Sequence, residues 1–135
     1  MENQTPSKRA FWGGWTLSGL AVAFLTFDGV LKFFLHKMPP EAVANAARLD
    51  FPTNFMPAIG TTLLICVLLY AIPRTAILGA ILLTGYLGGA VAIHVRVSNP
   101  WMSHSLFPVY VAAVIWLGLY LRIPSLRVLV PIKKT

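Results

Sequence analysis

The chain has 135 residues, room for one domain, and is 57% hydrophobic and 11% charged, with a mean hydropathy of +0.73. A water-soluble domain carries about 25% charged residues, so charges this sparse exclude a soluble surface and point to lipid as the solvent. Eleven Lys and Arg against four Asp and Glu give +7, but the bases flank apolar runs instead of forming one basic stripe, which excludes nucleic acid as a partner.

The N-terminal segment MENQTPSKRAFWGGW places Lys8 and Arg9 before an apolar stretch. That stretch is too long for the core of a signal peptide, and no small-x-small cleavage site follows it. It reads as a first, retained span over about residues 11–35. A helix needs roughly 20 apolar residues to cross the hydrocarbon core, and three further runs satisfy this: about 57–72, 75–96 and 103–121. Together they predict an all-α integral membrane four-helix bundle, one domain over 1–135.

The connections are unequal. Ile72-Pro73-Arg74 is so short that spans two and three must be antiparallel neighbours. The first connection is long, and Pro40 with Glu41 behind it marks a helix start. The stretch EAVANAARL aligns Ala42, Val43, Ala46, Ala47 and Leu49 along one side, predicting a short interfacial helix in the first loop. Asn99-Pro100 should be loop before the last span.

Four spans put both termini and the second loop at one end. That end carries Lys8, Arg9, Arg74, Arg122, Arg127, Lys133 and Lys134, against Lys37, Arg48 and Arg96 at the other, with Lys32 just inside the span. Because cytoplasmic flanks are rich in Lys and Arg, both termini are expected in the cytoplasm of a plasma membrane or bacterial inner membrane. Trp12, Trp15 and Trp101 suit the interfacial aromatic belts.

Ionisable residues inside a span demand a partner or an aqueous cavity. Asp28 and Lys32, four apart, share a helix face, together with Gly14, Ser18, Ala21 and Leu25. On span three, Gly85, Gly89, Ala92 and Arg96 share a face, with Gly88 adjacent, while His94 points nearly the other way. Small faces let helices approach closely in lipid, so these two faces are expected to meet, with Gly89 against span one. At about 1.5 Å per residue, Asp28 lies roughly 25 Å along span one from Phe11, and Arg96 roughly 31 Å along span three from Thr75. Asp28, Lys32 and Arg96 should then share one end of the seam as a net-positive cluster. It would serve either as an interhelical clamp or as a site for an anionic or strongly hydrogen-bonding ligand. His94 and His104 are placed at the same outer cavity, and Tyr86 and Thr84 can hydrogen-bond a ligand or a neighbouring backbone. Cys66 stands alone and permits neither an intrachain disulfide nor a Cys-based metal site. No metal-ligand spacing, catalytic triad or phosphate loop is present, so no metal and no catalytic residue is assigned.

The run LLTGYLGGAVAIHVR, from Leu82 to Arg96, resembles the signature of DoxX-like membrane proteins. So do FDGVLKF in span one, the PPEAVANAARLDFP loop and the closing WLGLYLRIPSLRVLVP, which together cover most of the chain in the expected order. Asp28 departs from the pattern, standing where a small or polar residue is more usual. The resemblance implies a four-helix membrane protein. Its name comes from a subunit associated with thiosulfate:quinone oxidoreductase, and distant relatives include animal membrane chaperones. The expectation is a nonenzymatic protein that binds a small hydrophobic ligand or a partner membrane protein near the outer end of the bundle. The alternatives are a quinone-interacting accessory subunit of a membrane oxidoreductase, with quinone as its cofactor, and a small-molecule carrier, which four spans would support best as a homo-oligomer.

Overall fold

The computed structural model describes residues 5–50 and 52–129. Lys133 and Lys134, counted above among the terminal charges, lie outside the described residues.

Helix α1 (Lys8–Leu31) starts at Ser7, whose Oγ accepts the Ala10 N–H and satisfies a first-turn donor. It ends one turn earlier than its apolar run, because residues 32–38 fold into tight turns ahead of Pro39-Pro40. Helix α2 (Pro40–Ala47) begins on that proline, with Glu41 in its first turn. It is the short helix expected in the first loop. Ala42, Val43, Ala46 and Leu49 are half-buried, whereas Ala47, assigned to the same side, is exposed.

Helix α3 (Met56–Ala71) follows a single tight turn and carries Pro57 in its first turn, where a missing N–H costs nothing. It stops at Ile72 because the ring of Pro73 disfavours helical geometry in the residue before it. The same Ile-Pro pair ends the last span at Ile123-Pro124. Helix α4 (Ala76–Arg96) returns antiparallel across the short turn, which Thr75 pins by donating its hydroxyl to Leu69 O at 2.8 Å. A wide turn over Trp101–Ser105 then takes the place of the helix start expected near Ser103, and α5 (Phe107–Arg122) and the short α6 (Pro124–Leu129) complete the described chain.

Four helical stretches are long and apolar enough to cross a membrane: Lys8–Leu31, Thr53–Ala71, Ala76–Arg96 and Trp101–Arg122. The core runs through Ala21, Leu25, Leu63, Cys66, Tyr70, Ala80, Leu83, Ile115 and Leu119. Leu20, Phe27, Ile65, Leu68, Leu78, Ile81 and Leu117 remain exposed on the outside. Helices apolar on both sides suit lipid, which imposes no polar outer face.

The cyclic order is α1–α3–α4–α5, so α1 borders α3 and α5 while α4 stands diagonally across. This corrects the expected seam between spans one and three. The predicted small face of α1 is indeed the buried one, comprising Gly14, Ser18, Ala21, Leu25 and Gly29, but its partners are α5 and α3. A Cβ at Gly14 would lie 2.8 Å from Gly118 O and 2.9 Å from Arg122 N, and one at Gly60 would lie 2.8 Å from Gly29 O. Helix α4 is turned the other way from expectation. Its buried residues are Ala76, Gly79, Ala80, Leu83 and Leu87. Gly85, Gly88 and Gly89 face open space, and a Cβ on any of them meets nothing within 4 Å. The short α3–α4 turn dictates this rotation, because it brings Gly79 against the Tyr70 backbone.

Candidate functional site

Turning α4 brings His94 inward. A cavity of about 250 Å³ opens between α1, α3, α4 and α5 at the end of the bundle opposite the termini, with Leu49 of the first loop over it. Its lower walls are apolar: Phe24, Leu25, Met56, Ile59, Leu87 and Val111. Four polar side chains line it as well: Asp28, Lys32, Tyr86 and His94. The sequence places all four among the candidates for one outer polar cluster, together with Arg96 and His104.

The Lys32 ammonium pairs with the Asp28 carboxylate one helical turn away. The pair is part-buried, with Lys32 20% and Asp28 42% exposed. Across the cavity, the Asn99 side-chain amide donates to His94 Nδ1 at 2.8 Å. An accepting Nδ1 makes Nε2 the N–H of a neutral ring. Tyr86 is half-buried two turns below His94 on α4. Along α1, Phe24 lies four residues below Asp28, about 6 Å, and meets Phe107 edge to face at 5.5 Å between ring centres. The site is an apolar slot with a polar rim.

Arg96 is not part of it. Its guanidinium donates to Leu49 O and Asp50 O at 3.3 Å each, and its Nη2 lies 3.6 Å from the Asp50 carboxylate. Asp50 and Ser98 adopt left-handed backbone (φ 51° and 55°) where the chain leaves α2 and α4. Arg96 thus ties the end of α2 to the end of α4, caps free carbonyls and is exposed. The expected Asp28–Arg96 clamp does not form, because α1 and α4 are diagonal and Arg96 sits on the outer side of α4. The cluster that remains holds one carboxylate and one ammonium, so the expected net-positive charge is corrected to a balanced pair.

His104 lies beside the cavity and does not line it. Its ring stands 6.2 Å from that of His94, and it shares a 2.7 Å hydrogen bond with Ser103. Thr84 is also outside: it donates to Ala80 O at 2.7 Å and accepts Trp116 Nε1–H at 2.8 Å. Among the described residues, no three His, Cys, Asp or Glu side chains are grouped to hold a metal ion.

Sequence reasoning missed a second polar group at the opposite end. Tyr70 donates to Ile115 O at 3.0 Å and accepts from Ser18 Oγ at 2.8 Å, both bonds fully buried. Arg122, expected as a flank charge, is 7% exposed and packs over the Trp15 ring at 4.4 Å. Nothing local in the sequence distinguishes Arg122 from Arg127, which caps α5 by donating to Tyr120 O and Leu121 O at 2.9 and 3.0 Å.

A family model described as the DoxX-like family matches residues 16–118, well over half of the chain. No curated protein and no solved structure matches.

Proposed function

The chain belongs to the DoxX-like family, and from that premise we propose that it is a nonenzymatic ligand-binding membrane protein. Its ligand is a neutral amphiphile, held at the end of the bundle away from the termini. The observation that carries this reading is the convergence of Asp28, Lys32, Tyr86 and His94 on one otherwise apolar cavity of about 250 Å³. Such cavities, apolar with a few convergent polar groups, are the usual form of small-molecule sites.

The charge balance selects the ligand class. Lys32 is matched by Asp28, and His94 is neutral, so an anionic head would find no free cation. Hydrogen-bond donors remain, the Tyr86 hydroxyl and His94 Nε2, which suit a carbonyl or hydroxyl head. The apolar body would then lie among Phe24, Leu25, Leu87 and Val111. A quinone meets this description, and the donor pair Tyr86 and His94 favours that reading among neutral amphiphiles. The protein would in that case serve as an accessory subunit to a membrane oxidoreductase. The excess of Lys and Arg at the terminal end supports a cytoplasmic position for both termini, with the cavity then near the outer leaflet.

The test is mass spectrometry of small molecules retained by the purified full chain, compared with Ala90→Leu. Ala90 lines the cavity one helical turn from both Tyr86 and His94, and a leucine there fills the slot. Stoichiometric retention of a neutral amphiphile by the wild type, reduced at least tenfold in Ala90→Leu, is the expected result. Equal retention by both proteins would place the ligand elsewhere and sink the proposal.

A further inference from the structure

We propose that the terminal end of the bundle carries a phosphate-binding site centred on Arg122. Arg122 is only 7% exposed, and its Nε and Nη2 are buried with no hydrogen-bond partner among the described residues. A buried charge in a membrane is expected to be paired or hydrogen-bonded. Arg122 instead has two aromatic faces, Trp15 at 4.4 Å and Tyr70 at 5.5 Å. They stabilise a cation but accept no N–H in the plane of the guanidinium. Tyr70 has already given its proton to Ile115 O and taken one from Ser18.

Among the described residues no counter-ion stands beside Arg122. Among the described residues the carboxylates are Asp28, Glu41 and Asp50, all at the far end, two of them already paired with Lys32 and Arg96. The arginines nearest in role are satisfied: Arg127 by carbonyls of α5, Arg96 by those of the first loop. Beside Arg122 lies a cleft of about 180 Å³ walled by Trp15, Ser18, Gly19 and Tyr70. Its depth is that of the head groups. Arg122 is the last residue of α5, about 22 Å along the helix from Phe107, and Trp12 and Trp15 are exposed at the same end, as interfacial tryptophans are. An anion drawn into the cleft would stand beside the guanidinium, whose planar fork of donors has the geometry that suits phosphate oxygens once the side chain turns toward it. Gly14 and Gly118 hold the site together, since the tight α1–α5 crossing at Gly14 O, Gly118 and Arg122 N presses the arginine stem against α1.

Phosphate can arrive as the head group of an anionic phospholipid or as the free ion. The experiment compares the two, using the full chain in dodecyl maltoside micelles, which hold no phosphate. Phosphatidylglycerol or inorganic phosphate is then added, and the thermal midpoint and the lipid retained in native mass spectra are read. For the wild type we expect a rise of several degrees and one phosphatidylglycerol retained per chain. Arg122→Gln should lose both, and Arg74→Gln, an exposed cation at the same end, should keep both. Before any addition, Arg122→Gln should melt no lower than the wild type, so that lipid reverses their order. Should inorganic phosphate alone give the full Arg122-dependent rise, the source is the free ion and the phosphate assignment stands. An equal rise in wild type and Arg122→Gln would overturn it. If Arg122→Gln does not fold, Arg122→Lys keeps the charge without the fork and should lose most of the rise. A wild type that retains phosphatidylglycerol without saturating at one per chain would also overturn the site. None of these outcomes depends on what fills the opposite cavity.

Discussion

Two glycine-bearing faces of this protein look alike in composition and behave oppositely. On α1, Gly14 and Gly29 press against backbone or side chains of α5 and α3, leaving no room for a Cβ. On α4, Gly85, Gly88 and Gly89 point into open space. In water the first test of a buried face is its hydrophobicity. In lipid that test is lost, because lipid tails are as apolar as leucine, and close packing decides which face turns inward. Helix α4 turns its Ala76, Ala80, Leu83 and Leu87 side inward because the α3–α4 hairpin sets its rotation at Gly79, before any preference of the glycine stripe can act. A small-residue face therefore permits a close crossing without specifying one.

Substitutions that add a side chain to each face should separate them. The largest effect is expected at Gly79, whose Cβ would collide with the Tyr70 backbone. Gly79→Ala should cost about 3 kcal/mol, the upper range for overpacking, read as the unfolding free energy in mixed micelles. A loss below 1 kcal/mol would mean that the hairpin does not set the rotation of α4. At Gly14 the clash is with Gly118 O and Arg122 N, and the gain in helix propensity from alanine offsets part of it. Gly14→Ala should cost about 1–2 kcal/mol by the same measurement.

The charged groups extend the contrast. In a double-mutant cycle, Asp28→Asn and Lys32→Gln should couple by about 0.5 kcal/mol, a small value because Asp28 is 42% exposed and the pair is partly screened. Asp28→Asn and Arg96→Gln should instead add, within about 0.3 kcal/mol, since they share no partner. A coupling above 1 kcal/mol in that second cycle would restore α1 and α4 as neighbours. The smallest effect is expected at Gly89. Gly89→Leu should change stability by no more than about 0.5 kcal/mol, and a loss of 2 kcal/mol would show that this face is covered after all.

The sequence by itself determined the solvent, the number of spans, the short second turn and the helix in the first loop. Each is set by local composition: runs of about 20 apolar residues, the short Ile72-Pro73-Arg74 connection, and Pro40 with Glu41 at a helix start. It also marked the buried face of α1, because Asp28 and the small residues Gly14, Ser18 and Ala21 lie on one stripe. The partner of that stripe could not be read from it. Spacing fixes which residues share a face, but the order of helices around a bundle depends on how hairpins and crossings close together. Tertiary structure alone put α4 across the diagonal from α1. That single arrangement turned the His94 face of α4 toward Asp28 and Lys32, and moved Arg96 out to bind Leu49 O and Asp50 O. It likewise decided between Arg122 and Arg127, two similar residues on the C-terminal flank. The Gly14–Gly118 crossing buries one against Trp15, while the turn into α6 leaves the other able to reach the free carbonyls of α5.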